Sequence, residues 1–170
     1  MGDKIRAVLL YAVAILLIVG VFKLLKLYER VPIDANDHSM EPIEYPPGRS
    51  FGLTTSALKA EDYKGGDNGD VVAYFVPGKT ELQRVARVLA LPGEKVTIER
   101  LKPADPTSPV LVKVNGVPTN RFKPDQPEWH FPEIMVPRGC LFLMSDKPSE
   151  GEDSLKVGPV PFYCIRGKLN

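Results

Sequence analysis

Hydrophobic and polar positions follow two regimes along this chain. From Ala7 to Phe22 (AVLLYAVAILLIVGVF) sixteen residues pass without a charge, between Arg6 and Lys23. Leu24, Leu25 and Leu27 carry the apolar run past Lys23, whose aliphatic stem can hold its charge out at an interface. The run approaches the roughly 20 apolar residues that a helix needs to cross a bilayer core. It predicts a single transmembrane helix, with residues 5–28 against lipid and residues 1–30 forming an anchor. A cleaved signal peptide competes with this reading, but Lys23 to Arg30 (KLLKLYER) offers no small-residue cleavage site. A buried core helix is the plainer alternative. Lys4 and Arg6 on one flank face Lys23, Lys26 and Arg30 on the other, so charge bias does not set the topology.

Past residue 30 the period changes. Val31 to Gly48 carries Pro32, Pro42, Pro46 and Pro47 and reads as extended chain and turns. Phe51 to Thr55 and the near-continuous apolar run Val71–Val76 (VVAYFV) predict strands, the second after the tight-turn cluster Asp67–Asp70. Glu81 to Leu91 (ELQRVARVLAL) fits a helix or a strand. Its β-branched residues and the abrupt stop at Pro92-Gly93 favour the strand. Lys95 to Leu101 alternates, and Leu111–Val117 predicts a hairpin turning at Asn115-Gly116. Leu141–Met144 and Pro161–Ile165 complete about eight short strands. Seventeen prolines among 170 residues, about twice the usual share of ~5%, argue against long helices after the anchor. The fold class is therefore mainly β: one N-terminal transmembrane helix, then a coiled or closed sheet over residues 31–170.

Charge and composition narrow the function. A net charge of +1 gives no field for nucleic acid, and 25% charged with 8% aromatic residues is ordinary globular usage. His38 and His130 lie too far apart for a metal pair, Cys140 and Cys164 form no CxxC, and no phosphate loop or cation loop appears. No metal or cofactor is implied. The two cysteines fit a disulfide in an oxidising compartment or two buried thiols. Asp146, Glu150, Glu152 and Asp153 form an acidic loop, which is most often just solvated. Tyr28, Trp129 and Phe131 fit interfacial anchors, although Trp129 fits a core cap equally well. Gly69, Gly93, Gly116 and Gly139 read as turn glycines.

Six segments, in order, carry a resemblance. Ser39-Met40-Glu41-Pro42 after a single anchor resembles the nucleophile box of type I signal peptidases, and Gly69–Phe75 (GDVVAYF) resembles their next box. Arg87–Glu94 (RVLALPGE) is similar to K-R-V-x-[GA]-L-P-G-[DE] from its second residue, and Val112–Gly116 to [VI]-x-[VI]-N-G. Val136–Asp146 (VPRGCLFLMSD) resembles V-P-x-G-x-x-F-[VL]-[ML]-G-D, and Asp153-Ser154 with Gly158–Pro161 resembles the D-S-R-x-x-G-x-[VI] ending. The resemblance implies a serine endopeptidase that removes signal peptides from exported preproteins at the plasma membrane, single-pass, with its β domain on the extracytoplasmic side. It also implies a Ser/Lys dyad, in which a desolvated lysine of lowered pKa activates the serine.

Departures from the pattern fall on the machinery. Ser39 stands at the nucleophile position, yet the base position is Ala86, and a methyl group accepts no proton. Arg84 and Arg87 flank it, but a guanidinium stays charged. Asp37 replaces a residue that often supplies an oxyanion donor, Gly151 aligns with the serine that orients the lysine, and Leu155 with an arginine. Met40, Asp146 and Asp153 match supporting positions. Loss of base and orienter together reads as natural divergence, where Ala86 alone would suggest engineering. His38, His130, Lys147 or Asp37 are the candidates for a substitute base. Three roles follow: an active peptidase with a substitute base, a non-catalytic homologue binding an extended preprotein or pilin-like segment, or a structural subunit of a membrane complex. The resemblance includes dyad-less members in some Gram-positive pilus systems. The residues favour non-catalysis.

Overall fold

A computed structural model of the chain describes residues 2–27, 29–34, 39–40, 48–55, 59–105, 107–122, 132–147 and 151–169. A helix, α1 (Gly2–Leu27), leads into eleven strands: β1 (Glu29–Pro32), β2 (Ser50–Thr54), β3 (Val71–Val76), β4 (Lys79–Ala90), β5 (Lys95–Arg100), β6 (Val110–Val114), β7 (Val117–Phe122), β8 (Glu133–Met135), β9 (Cys140–Met144), β10 (Val160–Pro161) and β11 (Ile165–Leu169). A one-turn helix, α2 (Ser154–Val157), separates β9 from β10.

Two antiparallel sheets carry the domain. One runs β1-β2-β11-β3-β4-β9-β10 and the other β7-β6-β5-β8. Among the described residues neither sheet's strand order closes on itself. The mainly β class holds. Short strands legible only through their partners raise the count above the expected eight. The helix-or-strand ambiguity at 81–91 resolves as β4, because its two faces bury different cores. Val85 packs with Val31, Met40, Leu53 and Val71, while Ala86 and Val88 pack with Val72, Tyr74 and Leu143. A third cluster, including Phe142, Met144, Val96 and Val112, joins β4 and β9 to the small sheet. Asn115 (φ 51°) and Gly116 (φ 81°) supply the paired positive φ values of a type I′ hairpin between β6 and β7.

One expectation is corrected: Pro161–Ile165 is not one strand, since Phe162–Cys164 winds into a 3-10 turn between β10 and β11. Gly69 closes a turn onto the Gly66 carbonyl at 2.8 Å, and a Cβ there would also sit 2.0 Å from the Val88 carbonyl oxygen, so close approach of two backbones excludes a side chain. The cysteines are free, Cys140 half-buried and Cys164 buried. Around α1, large apolar side chains from Val8 to Phe22 are exposed. Among the described residues no helix is long and apolar enough to cross a membrane. The expected span over residues 5–28 therefore rests on sequence.

Candidate functional site

Ser39 lies against β4, an interior strand of the large sheet, and is only 2% exposed. Its hydroxyl donates to the Val85 carbonyl on β4 at 3.4 Å, and its own carbonyl accepts the Lys147 N–H at 2.8 Å. The site is thus built where β9 ends: Lys147 follows that strand by three residues, and the Ser39 segment occupies the flank that β9 leaves. Met40 is buried beside Val85, so it fills the sheet's core on that side. A main-chain carbonyl orients a hydroxyl but cannot take its proton.

Position 86 faces the other way. Strand alternation separates Ala86 from Val85, and the alanine methyl is fully buried among Val72, Tyr74, Val88 and Leu143. The β4–β9 register pairs Val88 with Leu143 and Arg87 with Met144. The pairing ends there, and Ser145 follows β9 directly. The loop after β9 returns over the Ala86 face. The Tyr74 hydroxyl donates to the Glu152 carbonyl at 2.9 Å, and Tyr74 also lies on the Ala86 side. Arg84 shares the alternation but turns its guanidinium to the Gln83 carbonyl at 3.1 Å.

Asp153 and Ser154 clamp the end of β9. Asp153 caps α2, accepting the Leu155 N–H at 3.0 Å on one oxygen and the Ser145 N–H at 2.9 Å on the other. The Ser154 hydroxyl accepts the Leu143 N–H at 2.8 Å. Asp153 is fully buried, and desolvation raises its carboxyl to a pKa of about 6, against the opposing pull of hydrogen bonds from Ser145 and Leu155. Leu155, at the position of the pattern's arginine, is buried in the core beside Met144. Gly151 stands close to Ser145: a Cβ built on it would lie 1.8 Å from the Ser145 hydroxyl oxygen and 2.7 Å from its Cβ.

Arg87 is a structural cation here. Its Nε and one terminal nitrogen bind the two Asp146 oxygens at 3.0 and 2.9 Å, and the other terminal nitrogen donates to the Gly69 carbonyl at 2.9 Å. This bidentate pair, largely shielded from water, ties β4 to the loop after β9. Before Arg87 that flank of β4 has the Ser39 hydroxyl on the Val85 carbonyl and no described strand. β3 pairs with it from Lys79 to Arg87, whereas β9 pairs only from Arg87 to Ala90. No described strand covers the β9 side of Glu81–Val85.

Near the junction of β4 and β9, Met40 packs in the Val85 cluster and Ser39 bonds the Val85 carbonyl, Ala86 packs in the opposite cluster, and Arg87, Asp146, Gly151 and Asp153 hold the loop after β9. Asp37, His38, Trp129, His130 and Phe131 lie outside the described residues, as does Tyr28. Sequence reasoning overlooks Ser145, whose signal is its place in the motif: the pattern there ends M-G-D, and this chain has Met144-Ser145-Asp146.

Residues 5–170 match the family model described as signal peptidase, peptidase S26. No curated protein matches the chain significantly. Among solved structures, a signal peptidase I from Enterococcus faecalis V583 is similar, with 20% identity and a TM-score of 0.43 over 63% of this chain and 97% of that one.

Proposed function

From the premise that this chain belongs to the signal peptidase, peptidase S26 family, we propose that it is a non-catalytic, membrane-anchored member. It binds an extended segment of a preprotein or pilin-like protein beside Ser39, on the extracytoplasmic side of the plasma membrane. The observation that carries this reading is Ala86: at the base position stands a methyl group, fully buried in an apolar cluster. A serine hydroxyl without a base is a poor nucleophile near neutral pH. The same site keeps what binding needs. Before Arg87, β4 has no described strand on its β9 side, and main-chain groups there suit an added strand, the mode by which many domains hold extended peptides. Exposed apolar side chains along α1 support a bilayer partner. Structural subunits of a membrane complex, in contact through α1, are the alternative partners.

The test is cleavage and binding measured together on the full chain. A preprotein with a small-x-small site is expected to remain uncut while a peptide spanning that site binds, and Ser39→Ala is expected to change neither result. Cleavage by the wild type that vanishes in Ser39→Ala overturns the reading.

A second reading rests on Lys147, whose backbone N–H bonds the Ser39 carbonyl. That backbone contact makes Lys147 a candidate for the substitute base. In that case Lys147→Gln abolishes cleavage as fully as Ser39→Ala does.

A further inference from the structure

Two departures from the family pattern, read along the chain, look unrelated: a glycine position holds Ser145, and a serine position holds Gly151. In space they are one. The Cβ that Gly151 lacks would fall 1.8 Å from the Ser145 hydroxyl oxygen, so a side chain on 151 and the side chain of Ser145 claim the same volume. We propose that the two positions have exchanged side chains, and that Ser145 is a positioning residue holding, from the end of β9, a hydroxyl toward position 86. Three observations support it. The β4–β9 pairing ends at Arg87–Met144, and Ala86 and Ser145 are the residues next along the two chains. Ser145 is 1% exposed, so its hydroxyl is a committed buried group. Asp153 receives both its N–H and its hydroxyl, which fixes the rotamer. Buried polar groups persist only when so satisfied.

The proposal deepens the reading of position 86 as a vacated base position, and rests on it. Base and orienter were not lost together: the amine is gone, and the hydroxyl has moved. It follows that restoring a lysine with Ala86→Lys and Gly151→Ser would fail for a steric reason, since the new serine would collide with Ser145.

A thermal cycle in the full chain tests the exchange. Gly151→Ser alone is expected to lower Tm by roughly 5–10 °C through overpacking. Adding Ser145→Gly is expected to recover at least half of that loss, although Ser145→Gly alone is destabilising. Additive losses in the double variant overturn the proposal. The positioning role is read separately, from the amine pKa in the Ala86→Lys variant, measured by NMR after reductive methylation. Burial is expected to depress that pKa, and Ser145→Ala is expected to shift it by roughly half a unit or more. An amine that ignores Ser145→Ala overturns the role even if the exchange stands. Should Ala86→Lys not fold, the cycle in the wild-type background still decides. Neither measurement depends on peptide cleavage, so wild-type cleavage would sink the proposed function and leave both results standing.

Discussion

Burial sets Asp153 against itself: apolar surroundings disfavour its charge, while two main-chain N–H groups require an acceptor. Desolvation prevails, and its folded pKa of about 6 lies above the ordinary value of 3.8. A group whose pKa rises on folding adds stability as pH falls through the folded value, down to the unfolded one. Asp153 is therefore expected to raise the unfolding free energy by on the order of 1 kcal/mol between pH 7 and pH 5. Urea midpoints of the wild type and Asp153→Asn across that range isolate the effect. The wild type gains stability relative to the variant on acidification, and parallel curves would refute it. At this scale legibility follows locality. Ser39 is readable because its box is contiguous, and Arg87 and Asp146 because each sits in a dense motif. Ser145 is not, because the meaning of a glycine-to-serine change depends on where the missing Cβ of Gly151 would point.

Among the elements, β4 does the most. Its two faces feed separate cores, its Arg87 holds the loop after β9, and its edge over Glu81–Val85 stands without a described strand partner. Strand addition there predicts that binding runs through the peptide's main chain. N-methylation of alternate amides in a bound peptide should weaken affinity about fivefold per lost hydrogen bond of ~1 kcal/mol. Methylation of the intervening amides, which point away, should leave it unchanged. Titration by fluorescence anisotropy distinguishes the two registers, and equal losses from both would exclude an added strand. The longer strands are legible because apolar alternation over five or more residues has few other solutions. β1, β8 and β10 are not, since two to four residues carry no period and owe their form to partners distant in sequence.

For the whole molecule, the open question is what α1 meets. Its 26 residues extend about 39 Å at 1.5 Å per residue, longer than a hydrocarbon core of roughly 30 Å. Its exposed apolar side chains from Val8 to Phe22 cover about 22 Å of that length. Leu24, Leu25 and Leu27 make up the difference in the sequence. Lipid is the partner proposed for the exposed apolar side chains between Val8 and Phe22. Val13→Arg with Leu17→Arg places two cations near its middle, each costing about 2.5–3.5 kcal/mol on insertion scales. The wild type is expected to stay in the membrane pellet after alkaline carbonate extraction, and the double variant to move to the supernatant. Recovery of both in the supernatant would remove the anchor. If the anchor holds, added protease decides topology where the flanking charges do not, because only an extracytoplasmic β domain is cut in intact spheroplasts. That outcome would also put the edge proposed to bind peptide on the side proposed for its partner.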